Sequence, residues 1–394
     1  MLEQKQQRTT SYYTKLIAVS IGHFFNDFYM NLIPPILFLF VQALGLSLAQ
    51  QAFIAFVITS GGSFAQPVIG YLVDKRGKPY LIIYSLMWIS FWMSISGIIS
   101  NYYLLVIALG LGSLASALFH PLGSAMAVRL GKKSMGKSLS IFMTIGGFAA
   151  SVSPMVAIPI VKSYGLSSLV LFMIPGILIA FFLYYAQVQK VELNQSIEKK
   201  EKKSEKFDFH CAKWISILVF ISSNKVLVRS FLITFGAQIM LLKQVSVEVA
   251  GVVLSAYLLA NSLGTIIGGF LDDLIGSKRV LLIFNLFVLI CMSLIVFMPR
   301  IFMVIGFVLM GFALSGSSTA NIVMTQGLMP KNINVATGLI MGFSGGLGGL
   351  IMLAFGKIAD IHGLLTSASY LLIPLVLVVF TTLILPNEKS IEDM

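Results

Sequence analysis

What limits the fold of this chain most is the length of its apolar runs: twelve stretches of mostly apolar residues follow one another with short polar turns between them. Crossing the roughly 30 Å hydrocarbon core takes about 20 apolar residues in a helix. Only helices and closed barrels satisfy their backbone polar groups in that medium. The runs are far longer than the alternating segments of about 10 residues that build a barrel. An all-α membrane protein follows. Of the 394 residues 57% are hydrophobic and 11% charged, against about 25% charged in a soluble domain. The mean hydropathy of +0.93 leaves too few polar side chains to cover a folded surface in water.

Spans are expected at 14–41, 49–72, 80–99, 103–129, 137–161, 167–189, 214–241, 246–271, 280–298, 301–328, 335–358 and 365–386. An even number puts both termini on one side. Lysine and arginine favour cytoplasmic loops. With a cytoplasmic N-terminus, 21 of the 27 cations fall inside, three (Lys162, Lys243 and Arg300) fall outside, and three (Lys225, Arg229 and Lys357) fall within spans. The net charge of +12 therefore reads as membrane topology rather than nucleic-acid binding. The polar, basic Met1–Lys15 stretch precedes a run too long for a signal h-region, so the first span is expected to remain uncleaved. Cys211 and Cys291 show no metal-ligand spacing.

The charged stretch 191–213 breaks the hydropathy and is expected to link a six-helix bundle at 1–190 to a second at 214–394. Each half carries the same signature after its second span: Gly70-x-x-x-Asp74-x-x-Gly77 with Lys78, and Gly269-x-x-x-Asp273-x-x-Gly276 with Lys278, 199 residues apart. Matching copies at matching places imply an internal duplication, the usual architecture of secondary transporters. The carboxylates can meet a nearby cation or a helix N-terminus. Gly70 and Gly269 suit close helix packing, and Gly77 and Gly276 suit a tight turn. The signature is then either a conformational gate or a turn that only sets topology.

This loop signature resembles the hallmark of the major facilitator superfamily, over nearly the whole chain. A closer resemblance, to fosmidomycin-resistance-type exporters, rests on Gly22-His23-Phe-Phe-Asn26-Asp27, on Phe119-His120-Pro121, and on the glycine-rich run from Thr337 to Gly349. The resemblance implies alternating access between the halves, spans 1, 4, 7 and 10 around a central cavity, and a gating role for the loop signature. Gly146, Gly147, Ser153 and Pro154 partly resemble an exporter motif of span 5, with Ser153 where that motif has glycine.

Charges inside a membrane cost at least about 2.5–3.5 kcal/mol at a helix centre and mark cavities or relays. Asp27 lies near mid-depth of span 1, with His23 one turn earlier on the same face. His23 and His120 each stand about nine residues from an inner end, roughly 13 Å deep. Histidine titrates near physiological pH, and a desolvated carboxylate can be brought there too. His23, Asp27 and His120 are thus expected either to handle the coupled proton or, with Asn26, to satisfy one another structurally. In span 7, Lys225 and Arg229 share a face, and the repeat offset carries Asp27 to 226. They either pair with Asp27 across the halves or clamp an anionic substrate, or Lys225 snorkels to the interface. Lys357 and Asp360 are expected to be an interfacial anchor pair, and Glu248 an anchor of the same kind. Gln66, Gln238, Asn321, Thr325 and Gln326 either line the pore or bond between helices.

The sequence holds no Walker A, H-E-x-x-H or G-x-S-x-G pattern, so neither ATP-driven nor enzymatic chemistry is expected and no cofactor is called for. The expectation is a monomeric plasma-membrane transporter with cytoplasmic termini. It draws on a proton gradient to export small drugs or metabolites, or alternatively takes up or exchanges a small organic anion. A membrane sensor on the same scaffold is the reading that loss of cavity charge would favour.

Overall fold

The computed structural model describes residues 2–62, 69, 78–131, 135–191, 209–329, 336 and 338–386. Among them there is no strand, and eleven helical stretches are long and apolar enough to cross a bilayer; a shorter apolar helix, Leu48–Ser60, stands where the second span is expected. The helices used below are α1 (Leu2–Met30), α2 (Leu37–Leu44), α3 (Leu48–Phe56), α4 (Leu81–Ile95), α5 (Tyr102–Gly131), α6 (Met135–Tyr164), α7 (Met173–Tyr185), α8 (Phe209–Leu242), α9 (Val247–Ile275), α10 (Ser277–Phe297), α11 (Arg300–Gly316), α12 (Ser318–Leu328), α13 (Ser344–His362), α14 (Leu364–Tyr370) and α15 (Leu372–Leu383).

Two compact units emerge. One comprises Met1–Ile33 and Val57–Lys203; the other comprises Pro34–Phe56 and Ser204–Met394. In the first, α1 packs against α5 and α6. The buried face of α1 carries Ser20, His23 and Asn26 among apolar neighbours. That is the reverse of a soluble amphipathic helix: the lipid-facing surface is apolar, and the polar groups turn inward, where partners can satisfy them. The first span does not run through its proline pair. α1 ends at Met30, and Pro34–Ile36 forms a short 3-10 turn before α2, since proline cannot supply the helical N–H.

In the second unit a shared apolar core joins Leu218 and Ile221 of α8 to Val280, Leu281 and Phe284 of α10 and to Ala320 and Met324 of α12. α9 and α11 touch backbone to backbone. A side chain at Gly264 would strike the Phe312 carbonyl, and one at Gly268 the Gly316 carbonyl. This is the close approach expected of Gly269; instead Gly269 meets only the Thr319 side chain at 3.9 Å, an ordinary contact. The packing face of α9 is set by glycines one and five residues earlier. Lys243 donates to the carbonyls of Ile295, Val296 and Met298 at 2.8–3.0 Å, so a cation caps the C-terminus of α10. The lysine loses part of its hydration there, which pushes its pKa down.

Candidate functional site

The expected cluster forms. Asp27 lies on α1 one turn after His23, and their closest atoms, Oδ2 and Nε2, are 3.3 Å apart. His120 of α5 brings its Nε2 to 3.4 Å from Asp27 Oδ1. Asn26 donates from Nδ2 to Asp27 Oδ1 and to Ser116 Oγ, both at 3.0 Å; His120 Nε2 is at 3.4 Å from the same nitrogen. The three titratable groups offer donor atoms within 4.8 Å of one another.

Proton accounting shows what this arrangement can do. His23 Nδ1 lies 2.7 Å from the Phe142 carbonyl oxygen. A carbonyl only accepts, so Nδ1 carries the hydrogen. In a neutral ring Nε2 then presents a lone pair to Asp27. A lone pair facing a carboxylate at 3.3 Å is repulsive, so a proton belongs between them, on the ring or on the acid. The two hydrogens of the Asn26 amide are taken by Asp27 and Ser116, which leaves His120 Nε2 to share a proton with Asp27 Oδ1 as well. One carboxylate is thus bracketed by two imidazoles, a set whose chemistry allows a proton to be held and passed on.

The surroundings fix this geometry. The His23 ring stacks on Phe142, centroids 4.0 Å apart and 11° from parallel, with Phe119 6.0 Å away. Gly146 of α6 closes the socket: a Cβ there would fall within the imidazole. The His23 side chain is 2% exposed, that of Asp27 20% and that of His120 33%, so the cluster opens on the His120 side. Ser116, Phe142 and Gly146 were not singled out as partners by sequence reading. For Ser116 and Phe142 the sequence offers only a small or aromatic residue at the right depth, which many positions share, and for Gly146 the partial span 5 motif, which does not point to His23.

In the other unit, Lys225 is buried, and its ammonium donates to Ser317 Oγ at 2.9 Å. It does not snorkel: it reaches sideways to the break between α11 and α12, where Ser317 has left helical geometry. An ammonium has three hydrogens to donate, and Ser317 takes one. Arg229, one turn along α8, is exposed. Asp27 and Arg229, the ends of the expected cross-half pair, fall in different units.

Of the loop signatures, Gly70, Asp74 and Gly77 lie outside the described residues, as does Gln66; Lys78 is exposed, with its ammonium 5.8 Å from the Tyr80 ring centroid. In the second copy Gly276 has φ +86°, the conformation that favours glycine, and ends α9 as the turn requires. Asp273 is exposed, while its neighbour Asp272 is buried. Lys278 sits in the first turn of α10. Lys357 and Asp360 do not act as a paired anchor. Lys357 is exposed, and the Asp360 carboxylate accepts from the backbone N–H groups of Leu48 and Ala49 at 2.7 and 3.0 Å. Its partner is a helix end 312 residues away, which local spacing cannot reveal. Asn321 Nδ2 donates to the Leu218 carbonyl of α8 and so bonds between helices, whereas Thr325 Oγ1 donates to the Asn321 carbonyl one turn earlier in its own helix.

The model of the Major Facilitator Superfamily matches residues 19–243 and 215–392. An uncharacterized MFS-type transporter, YfnC, of Bacillus subtilis (strain 168) is 26% identical over 402 residues, covering 98% of this chain and 96% of its own. The fosmidomycin resistance protein of Escherichia coli (strain K12) is 27% identical over 353 residues, covering 87% and 86% respectively. A crystal structure of a bacterial homolog of the human lysosomal transporter Spinster, inward-facing and unoccupied, superposes with a TM-score of 0.80 at 15% identity over 97% of this chain and 98% of that one.

Proposed function

The chain belongs to the Major Facilitator Superfamily, and on that premise we propose that this membrane transporter works by alternating access as a proton-coupled exporter of small drugs or metabolites. One observation carries the coupling: Asp27 held between His23 Nε2 and His120 Nε2 at 3.3 and 3.4 Å, with the other nitrogen of His23 committed to the Phe142 carbonyl. Acceptors face acceptors there, so the state of the site depends on a proton. Loading or removing it changes the charge of a partly buried cluster on α1 and α5. A charge change at such a site costs several kcal/mol unless the surroundings rearrange. That cost is what couples the proton to a change of state. Export is supported by the likeness to a fosmidomycin resistance protein. The basic-loop bias supports cytoplasmic termini, and the same reading takes the protein as a plasma-membrane monomer without cofactor. The two loop signatures, at Asp74 and Asp273, act as conformational gates.

A second reading is favoured by Lys225. Its ammonium is buried, with one hydroxyl acceptor among the described residues of its own unit, and so retains donors for an anionic group on a substrate. With Arg229 it forms the clamp of an organic-anion symporter or exchanger. The test for both is purified protein in proteoliposomes with a trapped pH dye and an imposed pH gradient, challenged with fosmidomycin, cationic dyes, sugar phosphates and carboxylates. Substrate-dependent proton movement opposite to substrate supports the first reading. Substrate flux without proton movement refutes it and leaves uniport or anion exchange.

A further inference from the structure

We infer that Asp360 is a latch for the end of the pathway opposite the basic loops, and that it acts by capping a helix of the other repeat; the inference rests on the alternating-access reading. Asp360 lies in the last turn of α13. A carboxylate there is unfavourable to its own helix, whose C-terminus carries partial negative charge. The contact that compensates is with α3. Asp360 Oδ1 accepts from Leu48 N–H at 2.7 Å and Oδ2 from Ala49 N–H at 3.0 Å.

The rest of that helix end is satisfied internally. Ser47 Oγ accepts from Gln50 N–H at 3.1 Å, Gln50 Oε1 from Ser47 N–H at 2.9 Å, and the Ser47 carbonyl from Gln51 N–H at 3.0 Å. This capping box leaves the first two N–H groups of the helix without a local acceptor. Asp360 takes both.

Two further contacts hold the same seam. A Cβ at Gly356 would lie 2.5 Å from Ala52 Cβ and 3.0 Å from Ala49 Cα, so α3 and α13 touch along their backbones. Gln51 Nε2 donates to the buried Thr234 carbonyl of α8 at 2.8 Å. In sequence, residues 34–56 join the first and second spans of the first repeat, yet they pack within the unit formed by residues 204–394. Alternating access requires that seam to part each time this end opens. Asp360 is exposed, so water can replace it on the helix end at modest cost. It biases the equilibrium without locking it.

The test uses the full chain with Cys211 and Cys291 replaced and spin labels on Ala43→Cys and Ile361→Cys, both exposed positions, reconstituted and read by pulsed electron spin resonance. In Asp360→Asn, which removes the charge at the helix end, the ratio of long-distance to short-distance populations rises about twofold to fivefold, the worth of a carboxylate at a helix N-terminus, and Asp360→Glu restores most of it. Ser47→Ala, which weakens α3 without touching the latch, moves thermal stability but leaves the ratio in place. A wild-type protein that opens and closes while Asp360→Asn matches it overturns the latch alone. An equal shift in Ser47→Ala also overturns it, by assigning the effect to fraying of α3. A wild-type protein with one distance under every gradient and substrate overturns the alternating-access reading and the latch with it.

Discussion

Replacing Asp27 by Asn separates proton coupling from substrate handling, because the amide is nearly isosteric with the carboxylate but takes up no proton. In the structure the change removes an acceptor–acceptor conflict. An Nδ2 in place of Oδ2 sits 3.3 Å from His23 Nε2 and donates to its lone pair. The Nδ1–H bond to the Phe142 carbonyl is kept. Folding stability should therefore change by no more than about 1 kcal/mol, the net worth of one hydrogen bond. The effect on coupling is far larger. A one-unit pH step is worth about 1.4 kcal/mol per coupled proton, a tenfold concentration ratio. A single carboxylate bracketed by two imidazoles corresponds to one coupled proton. With the membrane potential clamped at zero, wild-type vesicles should hold substrate at about a tenfold ratio across that step. Asp27→Asn vesicles should equilibrate to a ratio of one while still exchanging labelled for unlabelled substrate. The assay is radiolabelled substrate accumulation, followed by counterflow with no gradient. Uphill accumulation retained in Asp27→Asn refutes the assignment of the proton to this cluster.

Gly146→Ala should force the His23 ring out of its socket, losing the Phe142 stack and the bond to the Phe142 carbonyl. That is a loss of about 1–3 kcal/mol, seen as a lower thermal midpoint together with weakened pH-gradient-driven transport. Lys225→Met should leave Ser317 Oγ without its donor and weaken anionic substrates more than neutral ones, with Arg229→Ala acting in the same direction. Equal loss for both substrate classes would remove the anion clamp. Gly268→Ala places a methyl group against the Gly316 carbonyl. Because backbone rather than a flexible side chain must yield, it should destabilise the protein by about 1–3 kcal/mol, as read by thermal unfolding in detergent.

Hydropathy and charge are local properties, summed over a window, and they settle much of this protein from the sequence. Twelve apolar runs read as twelve helical spans because runs of that length satisfy their backbone in lipid only as helices. The two loop signatures 199 residues apart reveal the duplication. His23 and Asp27 could be paired in advance because a helix places i and i+4 on one face, and His120 could be placed beside them because depth is counted from the nearest basic loop. Nothing in the sequence says which carbonyl fixes the tautomer of His23; Phe142 is 119 positions away. Nor does it say that Gly146 leaves room for that ring, or that Lys225 turns to Ser317, 92 positions on. Asp360 shows the divide most clearly. Beside Lys357 it reads as half of a surface ion pair, and only the packing of α3 on α13 turns it toward the N-terminus of α3. Sequence determines which segments enter the membrane and how deep each charge lies, because solvation acts residue by residue. Partners are decided by tertiary structure, because a hydrogen bond is set by the approach of two backbones to within a few tenths of an ångström.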